Sequence, residues 1–389
     1  MTPLAITAYT ATSALGRGVA AMLEALRRGA SGLKPNDFDR AELRAWIGRV
    51  PGLEERPVSG ALADFDCRNN RLAEFGLAQD GFREAVERAR SKYGPRRVAV
   101  LLGTSTSGIL QTELAYRARG AGGELPAGFD YQHGQNLFSV TDFVRRSLGL
   151  EGPAATISTA CSSSAKVFAS ASRYIEAGVA DAAVVGGVDS LCLTTMHGFT
   201  SLQLVSDEPC RPFDAARKGM SIGEAAGYAL VEKSGSDLRL VGYGESSDAH
   251  HMSTPHPEGE GALAAMRQAL ERAGLEPADI DYVNAHGTAT PANDRAEDRA
   301  LVRLFGNQVP VSSTKGWTGH TLGAAGIVEA IVCFLALEHQ LIPATINTTR
   351  LEPGLESQVV LETRGARVRH ALSNSFGFGG SNCSLVFAA

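Results

Sequence analysis

A chain of 389 residues, 44% hydrophobic and 20% charged, is long enough for two domains or one large fused pair, and its composition is that of an ordinary soluble protein. Its net charge of −5 argues against a general nucleic-acid binder. Six cysteines, Cys67, Cys161, Cys192, Cys210, Cys333 and Cys383, show no CxxC spacing. That pattern suggests neither a disulfide framework nor a zinc site, and it fits a reducing cytoplasm.

Residues 4–9 read as a first strand and Val19 to Arg28 as a helix; the start lacks the basic region of a signal peptide. Residues 30–70 are irregular and charged. Arg68 and Arg71 open a helical pattern that runs towards Ala89. Val98 to Leu102 is a short apolar strand ending in GTSTSG, a turn without the G-x-S-x-G spacing of a hydrolase elbow. Tyr116 to Gly123 reads as a basic loop, and Phe138 to Leu148 as a helix. Ala154 to Ile157 enters the stretch TISTACSSSAKVFASASRY, where strand, tight turn and helix follow one another and Cys161 falls at or just before the helix start.

Ala182 to Val188 is a buried strand, residues 196–219 a long loop, and Gly227 to Glu232 a strand. The pattern then restarts near residue 235, which predicts halves at 1–235 and 236–389. Strands at 238–243, 280–285 and 309–312 alternate with helices at 261–273, 295–305 and 324–339. The last of these helices carries Glu329 and reads as a buried helix rather than a membrane span. NSFGFGGSNCSLVF reads as a glycine-rich loop running into a final strand. Both halves run strand, reactive residue, buried helix, final strand, which hints at an internal duplication.

Four stretches carry chemistry. A thiol at a helix start faces free amides and the positive end of the helix dipole, which predicts a lowered pKa at Cys161 and a ready oxyanion pocket. His286, in VNAHGTATPAND, follows a strand directly, the usual place for a site in an open α/β sheet. SSTKGWTGHTLGAAG sets Lys315 and His320 five residues apart, ahead of the buried helix. SNSFGFGGSN interleaves Phe376 and Phe378 with glycines, a loop suited to capping an apolar tunnel. His250, His251 and His256 are irregularly spaced without acidic or thiolate partners, so they read as a polar loop and no metal is expected.

TACSSS, HGTATPxND, KxxTGHTxGAAG and NSFGFGGSN, in this order, resemble the β-ketoacyl-acyl carrier protein synthases of the elongating type, within the thiolase-like superfamily. The resemblance covers essentially the whole chain. It implies an α/β fold of two fused similar halves in five α-β-α-β-α layers, and an acyltransferase that elongates a fatty acyl chain by two carbons. It implies an acyl thioester on Cys161, with His286 and His320 as donors to the enolate left by decarboxylation of malonyl-carrier protein. It further implies that Lys315 orients the neighbourhood of His320 with Glu297 as its acidic partner, and that the Phe378 amide helps hold an oxyanion. Thr288 and Thr290 match pantetheine-binding positions, and Phe199, Phe376 and Phe378 match gate positions.

The implied partner is an acyl carrier protein, which delivers substrates on phosphopantetheine, so no bound cofactor is expected. Carrier proteins are acidic, and docking needs basic groups. Arg68 and Arg71 match family docking positions; Arg117 and Arg119 form a second candidate pair that reads equally well as solvated surface charge. A homodimer is implied, with a heterodimer with a non-catalytic chain-length factor as an alternative. TACSSS looks as much like polyketide and aryl-polyene synthases as like fatty-acid enzymes, and residues near Thr106 are expected at the far end of the acyl pocket. A thiolase would need a second reactive cysteine, which Cys333 and Cys383 do not provide from a helix and a strand. The initiating type would carry Asn in place of His320. A cysteine hydrolase leaves the second histidine unexplained.

Overall fold

The computed structural model describes residues 1–39 and 41–389. Ten strands build the two sheets that frame the molecule: β1 (Leu4–Ser13), β2 (Val98–Gly103), β3 (Ala154–Ile157), β4 (Ala182–Asp189), β5 (Ala225–Glu232), β6 (Arg239–Ser247), β7 (Tyr282–Asn284), β8 (Pro310–Ser312), β9 (His370–Phe376) and β10 (Ser381–Ala388). The first sheet runs β3-β2-β4-β5-β1 and the second β8-β7-β9-β10-β6, with one further short strand beyond β8. In both, the first three strands are parallel, the fourth is antiparallel to the third, and the last is antiparallel to the fourth. The same five-strand order therefore occurs twice. β1 and β6 meet over Leu4–Leu240 and Ala5–Arg239 and join the sheets edge to edge.

Side chains alternate across each sheet, so a strand buried on both faces reads as a continuous apolar run. Val98, Val100 and Leu102 face one outer layer of helices, while Ala99 and Leu101 face the centre. That outer layer is α1 (Arg68–Leu77), α2 (Phe82–Tyr93) and α3 (Ser139–Ser147). The other outer layer is α5 (Glu260–Ala273) with α6 (Pro291–Phe305), packed on Val283, Leu372 and Val386. Between the sheets lie α4 (Ser163–Glu176) and α7 (Ala325–His339), against Leu101, Val185, Ala371, Leu385 and Phe387. The result is the five-layered thiolase-like arrangement. Every residue of α7 from Ala325 to Leu337 is buried. Leu322–His339 is apolar and long enough to cross a membrane, but 89% of it lies inside the protein.

Some elements differ from expectation for reasons remote in sequence. Part of the expected loop 196–219 lies in a helix, Leu193–Ser201. Its first amides are satisfied by Glu113, which accepts from Leu193 N at 3.0 Å and Thr194 N at 2.7 Å. Segment 109–117 is also helical and takes in Tyr116 and Arg117, the first two residues of the expected basic loop. Asn374 to Phe376, the start of the expected glycine-rich loop, belong to β9. Asn374 is buried and bonded inside, its Oδ1 accepting from Ser384 Oγ at 2.8 Å.

Candidate active site

Both parallel trios present their carboxyl ends to the seam between the halves, where sites in open α/β sheets form. After β3 the chain turns through Ala160, whose φ of +52° is a left-handed conformation that costs energy for a residue with a side chain. Cys161 follows, two residues before α4 begins. Ser162 stands at the cap position of α4 but makes no side-chain capping bond. Ser163 Oγ accepts from Thr159 N at 2.9 Å and donates to Ala160 O at 2.6 Å, bracing the strained turn. Close packing seats α4 against α7: a Cβ on Gly326 would stand 2.4 Å from Ala165 N, so a side chain there would push the helices apart.

His286 lies just beyond β7 and His320 in the loop between β8 and α7. Cys161 Sγ and a ring nitrogen of each histidine lie within 4.8 Å of one another, and all three residues are buried. His320 Nε2 is 3.0 Å from Cys161 Sγ, and the two imidazoles sit edge to face at 5.4 Å. The loop holding His320 is tied back on its near side: His320 N donates to Ser221 O at 2.7 Å and Gly223 N to His320 O at 2.9 Å.

Lys315 stands behind His286, not His320. Its Nζ is 3.3 Å from His286 Nδ1 and donates to the His286 carbonyl. An ammonium only donates, so Nδ1 accepts and the proton of neutral His286 sits on Nε2, the other ring nitrogen. This arrangement works against a metal on the trio, because that tautomer leaves Nε2 no lone pair for a cation. The acidic partner of Lys315 is Glu329 of α7, not Glu297. Glu297 instead accepts from His286 N and Gly287 N, both at 2.7 Å, and so shapes the turn that carries His286. Glu329 was visible in sequence only as a lone charge in an apolar helix; a carboxylate there requires a buried cation, which was the available signal.

Burial governs the electrostatics. It pushes the Cys161 thiol up to about 11, against Lys315 and the Phe378 amide, which act the other way. The expected lowering by the helix start is therefore outweighed in the free protein. Burial, then the charge of Lys315, holds both histidines well below their ordinary range, so both are neutral at pH 7. Glu297 and Glu329 are each raised to about 7 by burial. Nδ1 of His320 has no hydrogen-bond partner among the described residues. A bare buried acceptor is tolerated better than a bare N–H, which favours the proton on Nε2, directed at Cys161 Sγ.

A cleft opens from this trio to solvent. Thr288 and Thr290 line it, their hydroxyls 2.9 Å apart. Phe199, Phe376 and Phe378 line it too; Phe199 meets Phe378 edge to face at 5.5 Å, and Phe376 lies 5.8 Å from His286. Gly377 approaches the Cys161 turn so closely that a Cβ would lie 2.8 Å from Thr159 O. This brings the Phe378 N–H to Cys161. Asp248, His251 and Asn293 also line the cleft; of these, only His251 stands out in the sequence, as part of a polar loop.

The docking arginines separate. Arg68 is buried: its Nε and Nη2 donate to Glu224 at 2.9 and 2.6 Å, and Nη1 pairs with Glu54. Glu224 is fully buried and also accepts from Val50 N and Leu191 N, so it requires that cation. Arg68 has no free head to offer a partner, contrary to expectation. Arg71 forks onto Asp66 at 2.6 and 2.5 Å. Arg117 pairs with Asp39 at 2.9 Å while half exposed, and Arg119 stacks on Tyr116 at 5.0 Å.

Fold and site together define a class: a thiolase-like α/β protein with one buried cysteine and two neutral histidines at the seam of its halves. The family model for the β-ketoacyl synthase N-terminal domain matches residues 1–236, and that for the C-terminal domain matches residues 238–349. The 3-oxoacyl-[acyl-carrier-protein] synthase 2 of Coxiella burnetii is 34% identical over 98% of this chain and 97% of that protein. The Vibrio harveyi protein of the same name matches with the same identity and shares. Among solved structures, a ketosynthase in complex with its chain length factor from Xenorhabdus doucetiae superposes with a TM-score of 0.91 at 36% identity, over 100% of this chain and 98% of that one. The ishigamide ketosynthase/chain length factor follows at 0.90 and 28% identity, over 100% and 99%. The chain belongs to the β-ketoacyl synthase family, and it is an acyltransferase.

Proposed function

We propose that the protein elongates a fatty acyl chain by two carbons, condensing malonyl-acyl carrier protein with an acyl group held on Cys161. The observation that carries this reading is the approach of His320 Nε2 to Cys161 Sγ at 3.0 Å beside a second neutral histidine. In the first half-reaction, Cys161 sulfur attacks the acyl thioester carbonyl. Sγ receives hydrogen bonds from His320 Nε2–H and Phe378 N–H, which stabilise the thiolate as it forms in a buried site. The thiol proton leaves with the pantetheine sulfur. In the second, the bond to the malonyl carboxylate breaks and carbon dioxide departs. Its electron pair becomes an enolate, whose oxygen is held by the Nε2–H groups of His286 and His320. The carbanion attacks the acyl carbonyl, whose oxygen turns to the amides of Cys161 and Phe378. The carbon–sulfur bond then breaks and the Cys161 thiolate takes up a proton from solvent, to which the cleft is open. Lys315 fixes the His286 tautomer, and Glu329 neutralises it. No step uses a cofactor or metal. Thr288 and Thr290 hold the pantetheine arm, and the three phenylalanines gate the cleft. Arg117 and Arg119 supply exposed cationic groups for the acidic carrier. We place the reaction in the cytoplasm, consistent with six free cysteines.

A second reading is favoured by the similarity to a ketosynthase whose solved structure includes a chain length factor. In it the chain extends a polyene or polyketide and pairs with a non-catalytic partner of like fold. β3 supports pairing in either case, as homodimer or heterodimer. It is an outer strand of its sheet, and the segment leading into the neighbouring α3 exposes Leu114, Tyr116, Tyr131 and Leu137.

Intact-mass spectrometry with acyl-carrier proteins of several lengths, followed by malonyl-carrier protein, tests the proposal. An adduct on the wild type that vanishes on malonyl addition to give ketoacyl product is expected, and Cys161→Ala should form none. Ketoacyl product from the Cys161→Ala variant would refute the assignment. The acyl lengths loaded distinguish the two readings.

A further inference from the structure

Asp189, the last residue of β4, is fully buried, and no step of the reaction above uses it. Oδ1 accepts from Thr104 Oγ1 at 2.6 Å, Thr106 N at 3.0 Å and Thr106 Oγ1 at 2.9 Å. Oδ2 accepts from Ser105 Oγ at 2.5 Å and Gly323 N at 2.6 Å, and Ser105 N is shared between both oxygens at 3.0 and 2.9 Å. A carboxylate is costly to bury, and this many donors are what makes it tolerable. The donors come from two places. One is the turn after β2, which includes Thr106. The other is Gly323, three residues beyond His320 and just after Leu322, whose φ is +53°. Gly323 comes so close that a Cβ would stand 2.6 Å from Asp189 Oδ2 and 2.7 Å from Ser105 N. The near side of the His320 loop is held by Ser221 and Gly223; its far side is held by Asp189.

We infer that Asp189 is a positioning residue for the condensation, tying the Thr104–Thr106 turn to the far side of the His320 loop and so fixing His320 against Cys161. The hydroxyls of Thr104, Ser105 and Thr106 can rotate to suit a new neighbour, but the Gly323 amide cannot. The same carboxylate lies close enough to Cys161 to disfavour its thiolate. Asp189 therefore acts on the site in two separable ways, by geometry and by charge.

Two variants separate them. Asp189→Glu keeps the charge and displaces the carboxylate; Asp189→Asn keeps the size, removes the charge and turns one acceptor into a donor facing fixed N–H groups. Each is compared with wild type for melting temperature, acyl loading of Cys161, carbon dioxide release from malonyl-carrier protein, and the pH profile of Cys161 alkylation by iodoacetamide. The inference rests on the proposed reaction, but alkylation needs no carrier. If the wild type itself releases no carbon dioxide, the reaction is wrong, and the alkylation profile still tests Asp189. For folded Asp189→Glu, carbon dioxide release should fall about tenfold to a hundredfold, because small displacements of a positioned group carry costs of that order, with loading much less affected. For Asp189→Asn, the alkylation profile should also move to lower pH. Wild-type carbon dioxide release in folded Asp189→Glu, or equal losses in both half-reactions with an unshifted Asp189→Asn profile, would overturn the inference. Should neither variant fold, Thr104→Val removes one donor from the same carboxylate. It should lower carbon dioxide release more than loading, and no change in that ratio would overturn the inference.

Discussion

The two halves of the molecule repeat one strand order and put different chemistry at the same places in it. After β3 comes a strained turn, Cys161 and the central helix α4; after β8 come Lys315, His320 and the central helix α7. After β2 comes a turn of hydroxyl side chains bound to Asp189; after β7 comes His286, with Lys315 behind its ring. The first half supplies one sulfur, pushed up to about 11 by burial, and the second supplies two imidazoles kept neutral by the same burial. Low dielectric thus has one effect on both halves: it favours uncharged groups that exchange hydrogen bonds over a resting ion pair. Each half also buries a carboxylate with a cation, Glu224 with Arg68 and Glu329 with Lys315. The first pair braces the scaffold; the second stands behind the His286 ring.

The comparison can be broken at several points. The largest effect is expected from His320→Ala, because His320 touches both half-reactions. Carbon dioxide release should fall about 10²–10³-fold, the usual loss for an oxyanion donor. Acyl loading should fall as well, since Cys161 Sγ loses a hydrogen bond. Stopped assays of each half-reaction would show this, and a loss confined to loading would contradict the role of His320.

Arg68→Ala comes next and sharpens the contrast between the buried pairs. It strands Glu224 in the core and should cost about 3–5 kcal/mol of stability in urea unfolding, as breaking a buried pair does. The folded enzyme should keep its KM for the carrier. A raised KM with unchanged stability would return Arg68 to the docking surface.

The smallest effect is an absence of change with pH. The neutral histidine is the form that donates from Nε2 while accepting at Nδ1. Burial lowers both histidine pKa values, so the neutral form persists as the pH falls. The ring-nitrogen NMR shifts of His286 and His320 should stay those of neutral imidazole from pH 7.5 to about 6, whereas a histidine at its ordinary value near 6.5 would be half protonated within that interval. Imidazolium shifts appearing with a midpoint near pH 6.5 would contradict the burial argument.

Much of this site was legible in the sequence because each reactive side chain lies in a short turn of small residues next to an apolar run. TACSSS, HGTATP and TGHTLGAAG announce themselves by that contrast. What was not legible depended on contacts distant in sequence. The i, i+3 spacing of Arg68 and Arg71 shows a shared helix face but not Glu224, which lies far along the chain and makes that face internal. Lys315 needed a buried carboxylate, and both Glu297 and Glu329 lay within the plausible region; only packing shows that α7 supplies it. The raised thiol pKa is hidden for a similar reason, since a helix start is visible in sequence and the depth of burial is not. Helix Leu193–Ser201 begins on amides that Glu113 satisfies from another helix.

The division of labour between the halves is tested most directly by His286→Ala, assayed by intact mass for acyl loading of Cys161 and in parallel for carbon dioxide release from malonyl-carrier protein. His286 lies in the second half and makes no bond to Cys161 Sγ among the described residues, so loading should stay within about threefold of wild type while carbon dioxide release falls about 10²-fold or more. Loading and decarboxylation falling together, or decarboxylation surviving, would contradict the account.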